Sequence, residues 1–277
     1  QKPDKQYGTD PLFPKMSIKL PGFRALKKPQ HTLLRSLTKR NYARMWSMLE
    51  KITKKRICLD TKLTIVSFTF DDAPLSSFTL AGEILEKHGF RGTYYVSAGL
   101  LEKTTEVGKI VSLGTIVEYR QRGHEIANHT YGHINSENCD PIDLIQNIQE
   151  NKKKFDGIIS SSFSYPYGAV NSAARFAARI CTTSARGISS GINRGIINPM
   201  DLRAVRIYNR LGIKNCLDMV SDCATHGGWL IFYTHDVCDN PSSYGCTPEQ
   251  FNNLVQTVVS KNLTVLTVQQ VMERICM

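Results

Sequence analysis

The chain has 277 residues, 41% of them hydrophobic and 21% charged, with a formal net charge of +11; it is long and apolar enough to bury a large core, which excludes a disordered polyelectrolyte. The charge excess is local, because residues 1–56 hold 15 Lys and Arg against Asp4, Asp10 and Glu50, while the rest of the chain has 20 against 21 acids. The arm carries no aromatic-interleaved basic motif and the chain no nucleic-acid fold signature, so nucleic acid is not the expected partner, and no apolar run approaches the roughly 20 residues of a membrane span.

Residues 1–37 are proline-rich with little periodicity and read as an extension along the surface. From about Thr38 to Arg56, the residues Tyr42, Met45, Trp46, Leu49 and Ile52 recur at helical spacing with Lys and Arg between them. This pattern predicts an amphipathic basic helix that lays Trp46 on the main domain. Residues 1–59 are thus a basic N-terminal arm suited to a peripheral membrane surface, a polyprenyl-phosphate carrier or an acidic partner. The catalytic domain is expected over 60–277.

From Asp60 onward, strand and helix patterns alternate. Strands are predicted at 64–70, 92–96, 124–128, 163–166, 203–208, 229–234 and 262–267, and helices at about 78–88, 109–122, 141–155, 171–180, 214–225 and 248–261. Polar residues gather at four strand ends: Asp71 and Asp72, then His129 and His133, then YPYG at 165–168, then His235 and Asp236. Serial units with chemistry at the strand C-termini suggest an α/β fold, a distorted (β/α) barrel of parallel strands with an N-terminal basic helical extension. A doubly wound open sheet is the alternative, but no G-x-G-x-x-G loop recommends it.

Two adjacent carboxylates raise each other's pKa unless a cation lies between them, although a helix cap or turn explains such a pair equally well. His129 and His133 have the spacing to share one helical face or one tight turn. With a carboxylate they supply two nitrogens and one oxygen, a set that leaves metal positions open for water and substrate.

TFDD at 69–72, HTYGH at 129–133, YPYG at 165–168 and FYTHD at 232–236 resemble, in type and order, the motifs of the polysaccharide deacetylases. That family is carbohydrate esterase family four, with the chitooligosaccharide deacetylase homology domain, and the resemblance spans about 60–277. It implies metal-assisted amide hydrolysis, with Asp71 as general base, His235 as general acid, and Asp72, His129 and His133 holding one divalent ion, taken as zinc. The backbone N–H of Tyr167 would stabilise the oxyanion. The chain departs from the family at Ser164, where many members carry an arginine that orients the base, and Arg206 is the expected replacement, with Arg203 second.

The implied activity removes N-acetyl groups from amino sugars of a bacterial surface glycan or its precursor, as in lipopolysaccharide or capsule biosynthesis. The alternatives are a glycan-binding pseudoenzyme of the same fold and an extracellular chitin or peptidoglycan deacetylase. Tyr94, Tyr95, Tyr131, Tyr165, Tyr167 and Tyr233 are candidates for a sugar-stacking platform or for barrel core. Eight cysteines without a C-x-x-C pair read as free thiols, with Cys238 and Cys246 the best disulfide candidates otherwise. These thiols, and first residues without an apolar stretch, set the expectation of a cytoplasmic protein, peripheral to the inner membrane; a periplasmic or secreted one is the alternative.

Overall fold

The computed structural model describes residues 39–60 and 62–276; the surface extension read at 1–37 lies outside them. Helix α1 (Lys39–Thr53) and strand β1 (Ile57–Cys58) precede the long strand β2 (Thr64–Phe70). A π-helical turn over Ser77–Gly82 runs into α2 (Glu83–Lys87), followed by β3 (Thr93–Val96), the hairpin β4 (Thr104–Thr105) and β5 (Gly108–Lys109), α3 (Leu113–Gln121) and β6 (Glu125–Asn128). Next come α4 (Pro141–Lys154), β7 (Ser162–Ser164), α5 (Ser172–Cys181), β8 (Ser184–Arg186), β9 (Ile196–Ile197) and β10 (Val205–Arg206). The last elements are α6 (Lys214–His226), β11 (Gly228–Thr234), α7 (Pro248–Ser260), β12 (Thr264–Val265) and α8 (Val268–Cys276).

The helices start where the sequence supplies caps. Ser112, Asp140, Asn171 and Thr247 each accept a backbone N–H of the first turn of α3, α4, α5 and α7, and Thr247 forms a reciprocal capping box with Gln250. The main sheet runs β10-β11-β2-β3-β6-β7-β8, with β12 beside β2, and its pairings are parallel. Its two edges come together, because Leu202 donates to the Ala185 carbonyl at 2.9 Å and accepts from Gly187 N–H at 3.0 Å. The sheet is therefore curled into the distorted (β/α) barrel that the alternating pattern predicts.

Strand alternation separates two cores. From β2, Val66, Phe68 and Phe70 join a cluster with Val220, Leu254 and Val258 of the outer helices, whereas Ile65 packs inside with Trp229 and Ile231. Val268, Val271 and Met272 of α8 belong to the same inner cluster, and α8 donates backbone N–H groups to Thr93 and Glu125. The helix thus closes the end of the barrel opposite the polar strand ends. Neither α8 nor the short strand β8 is anticipated from the sequence.

The compact unit begins at Met45, within α1, and not at residue 60. Trp46, 2% exposed, packs its ring 5.3 Å from that of Phe176 on α5, and buried Glu50 pairs with Arg175 at 3.5 Å. Ile52, on the same predicted stripe, is exposed instead. Trp46→Ala is expected to cost about 3 to 5 kcal/mol, measured by denaturant unfolding, because it deletes a buried indole against a fixed helix.

Candidate active site

The inner face of β2 reads Ile65, Ser67, Thr69 and then Asp71, so alternation alone carries the Asp71 side chain to the polar end of the barrel. Thr69 and Ser67 are satisfied within the wall, by the Phe232 carbonyl and by Trp229 Nε1 and the Leu266 carbonyl. Asp72 then breaks the alternation with φ of 62° and Ala73 follows at 61°, turning the chain across the barrel mouth.

His129 follows β6, and the stretch it opens is a tight turn in which Thr130 and His133 have φ of 63° and 51°. Helix α4 anchors the turn through Asn147, whose backbone and side-chain oxygens accept from Tyr131 and Gly132. The Nε2 atoms of His129 and His133 lie 3.4 and 3.0 Å from Asp72 Oδ1. Tyr167, after β7, also has positive φ, at 61°, and its ring stands 4.6 Å from that of His133. Of the seven non-glycine residues with positive φ among the described residues, five lie in these three turns. For β-branched Thr130 the conformation is costly, and such clustering marks a backbone held in place for a site.

Three strands position Asp71. Ser164 of β7 and Arg186 of β8 stand opposite each other in register. The Arg186 guanidinium, 1% exposed, donates to both Asp71 oxygens and to Ser164 Oγ. It is sandwiched between the rings of Tyr233, at 4.7 Å, and Tyr95, at 5.3 Å. Burial would raise the Asp71 carboxyl, but Arg186 outweighs it, helped by His129 and His235, and the pKa falls below the ordinary carboxylate value. The cation that the sequence reading sought at Arg206 is therefore Arg186. Arg206 is exposed and leans on Tyr208, with its guanidinium carbon 6.0 Å from that ring. Arg203 donates to the Ser190 carbonyl, also away from Asp71. The stretch around Arg186 lacks an apolar run and reads as a loop, which hides it; a strand is nonetheless required after α5 to continue the sheet.

His235, after β11, has Nε2 4.0 Å from Asp72 Oδ2 and Nδ1 3.3 Å from the Tyr244 carbonyl. Asp236 points away from the site and ties its own loop, accepting from Ser242 N–H at 2.7 Å and Ser242 Oγ–H at 2.6 Å. Of the tyrosines considered for stacking, Tyr94, Tyr95, Tyr165 and Tyr233 are buried in the wall, whereas Tyr167 is 65% exposed beside the site. Its backbone N–H forms no hydrogen bond among the described residues. Cys238 and Cys246 are free thiols like the other six cysteines.

One oxygen of Asp72 and one nitrogen from each of His129 and His133 lie within 4.8 Å of one another. Their chemistry fits a cation. The Ser164 carbonyl, 2.8 Å from His129 Nδ1, can only accept, so in the neutral ring the hydrogen sits on Nδ1 and Nε2 turns its lone pair toward Asp72. Asp72 Oδ1 is buried with no hydrogen-bond donor. Burial raises the Asp72 carboxyl, and donating, protonated imidazoles at His129 and His133 would hold it well below the usual range; with their lone pairs turned toward it, a cation has to take that part. Acceptors facing acceptors are stable around a divalent ion.

Residues 59–184 match the family model for polysaccharide deacetylase, a match that stops two residues short of Arg186. The chain is 26% identical over 193 residues to a chitooligosaccharide deacetylase of Rhizobium leguminosarum bv. trifolii, covering 68% of this chain and 75% of that one. It is 28% identical over 110 residues to a chitin deacetylase of Colletotrichum lindemuthianum, covering 39% of this chain and 43% of that one. Among solved structures, a peptidoglycan N-acetylglucosamine deacetylase superposes with a TM-score of 0.51 at 14% identity, over 77% of this chain and 90% of that one. The peptidoglycan deacetylase PdaC of Bacillus subtilis superposes with a TM-score of 0.50 at 16% identity, over 79% and 94%. At these identities the superpositions speak for the fold alone. In motif order along the strands, as in these comparisons, the chain is similar to the polysaccharide deacetylases, and it differs from the pattern read in the sequence by carrying its buried arginine one strand over, at Arg186.

Proposed function

We propose that the protein is a hydrolase of the carbon–nitrogen amide bond that removes acetyl groups from N-acetylated amino sugars, with zinc at Asp72, His129 and His133, acting on a bacterial surface glycan or its precursor. The observation that carries this reading is the pairing, at one barrel mouth, of a two-nitrogen, one-oxygen metal set with a second carboxylate, Asp71, held off it by a buried arginine. When bound, the ion supplies Lewis acidity that makes water easier to deprotonate and an acetyl carbonyl easier to attack.

The residues then divide the proton work. Asp71, ionised and fixed by Arg186, takes the proton from a water beside it as the oxygen adds to the acetyl carbon. The free N–H of Tyr167 is positioned to donate to the oxyanion that develops, a contribution of about 3 to 4 kcal/mol for one well-placed donor. His235, its Nδ1 against the Tyr244 carbonyl, turns Nε2 toward the site and gives a proton to the leaving nitrogen. The C–N bond breaks, and acetate and a free amine depart. Ser164 supports the arrangement by accepting from Arg186.

The test is acetate release from a panel of N-acetylated oligosaccharides and sugar nucleotides by zinc-loaded and chelator-treated protein. Release that depends on the ion supports the reading; fully loaded protein that frees no acetate from any of them sinks it. A ligand-set prediction is independent of turnover. Zinc at a hundred times its dissociation constant is expected to stabilise the fold by about 2.7 kcal/mol in thermal unfolding, and His133→Ala should abolish that shift. Cytoplasmic residence with the basic arm at a membrane surface belongs to the same proposal, and cell fractionation of the full chain decides it.

A further inference from the structure

The site mouth carries two cations that no acid among the described residues neutralises. Between 202 and 217 the chain holds Arg203, Arg206, Arg210 and Lys214 and no Asp or Glu. Lys214 pairs with Asp218 at 2.9 Å and Arg203 donates to the Ser190 carbonyl. Arg206 and Arg210 are exposed and form no ion pair among the described residues. Their guanidinium carbons lie 6.0 and 5.9 Å from the centre of one ring, that of Tyr208. This ring is buried at the site itself, 6.3 Å from His235, 5.9 Å from Tyr244 and 5.7 Å from Tyr233. Alternation along β10 sets Arg206 on the inward side with Ala204 and Tyr208.

A solvated arginine on a surface strand asks for no explanation. Two beside one aromatic ring, itself next to the His235 ring that protonates the leaving amine in the reading above, together raise the local potential at the entrance. Inside the mouth Asp71 is already engaged by Arg186, and Asp72 is turned to the cation site between His129 and His133. The remaining positive charge faces whatever enters. Guanidinium groups hold carboxylates and phosphates through paired N–H donors, and the Tyr208 ring limits their freedom beforehand.

We propose that Arg206 and Arg210 form an anion subsite at the rim of the active site, which takes a carboxylate or phosphate borne by the glycan next to the sugar that is deacetylated. The preferred substrate is then an acidic glycan and not neutral chitin. This rests on the glycan reading above and narrows it.

Zinc-loaded Asp71→Asn protein, in which turnover is blocked, is titrated calorimetrically with two matched pairs of ligands. One pair is chitotetraose and a tetrasaccharide alternating N-acetylglucosamine with glucuronic acid; the other is N-acetylglucosamine and its 1-phosphate. Whichever acidic member wins identifies the anion as carboxylate or phosphate. It is expected to bind about tenfold more tightly than its neutral partner at low salt, with the gap narrowing as salt rises. Adding Arg206→Gln and Arg210→Gln should bring each pair together, and since both side chains are exposed the variant should fold.

Equal affinities in both pairs, no measurable binding of any ligand, or a preference that survives the double substitution would overturn the subsite. The glycan reading fails separately. Acetate release from chitotetraose by the wild-type protein without any charge preference keeps that reading and removes this one. A charge preference in binding with no acetate released from any glycan does the reverse.

Discussion

Arg186→Met is expected to lower stability by about 3 kcal/mol or more and to cut acetate release at least about a hundredfold, because it leaves Asp71 buried without its partner and free to rotate. Nothing else in the wall replaces the lost charge: Arg206, two strands from β2, is exposed, and Arg206→Met should shift stability by no more than about 0.5 kcal/mol. A structural role alone predicts the same stability loss, so the decisive variant is the exchange Ser164→Arg with Arg186→Ser. Since 164 and 186 face each other across β7 and β8, the exchange returns a guanidinium to the same carboxylate from the neighbouring strand. Activity within about tenfold of wild type would establish orientation of the base as the function of this arginine. Recovery of stability without activity would show that the guanidinium only neutralises a buried charge.

The reason Arg186 escapes the sequence reading is physical. Periodicity finds strands that bury one face over several residues, and TIVSFTF and WLIFYT announce themselves in this way. Strand β8 has three residues, two of them Ser184 and Arg186, buried because the sheet closes over them. Closure is a property of the whole barrel, and no local window carries it. The candidate metal cluster is legible for the opposite reason. Its spacing is local, two histidines in one turn and one carboxylate after a strand, and only their convergence needs the fold. Helix α1 shows the same distinction: helical spacing locates the stripe and lays Trp46 on the domain, but only packing against Phe176 and Arg175 shows that Glu50 is buried with it while Ile52 stays in solvent. The choice of Arg206 went wrong by one step of the same kind, since an arginine on the correct face of a strand can still stop short of the carboxylate.

The adjacent aspartates give the second test, and their predicted responses cross. Asp71→Asn preserves shape and leaves Asp72, His129 and His133 untouched, so zinc affinity should be retained while acetate release falls by about two to four orders of magnitude, the range for losing a general base. Asp72→Asn removes the anionic donor facing both imidazoles. Zinc affinity should then fall by more than about a hundredfold, beyond what loss of an outer-shell partner costs, and activity should recover in part when zinc is raised. The left-handed backbone at Asp72 makes the crossing strict, because φ of 62° turns its carboxylate out of the β2 alternation that carries Asp71 toward Arg186. The two side chains diverge at the backbone and cannot exchange duties by a rotamer change. If Asp71→Asn released the zinc while Asp72→Asn held it, the assignment of base and ligand would have to be reversed, and the proton path drawn from Asp71 to His235 with it.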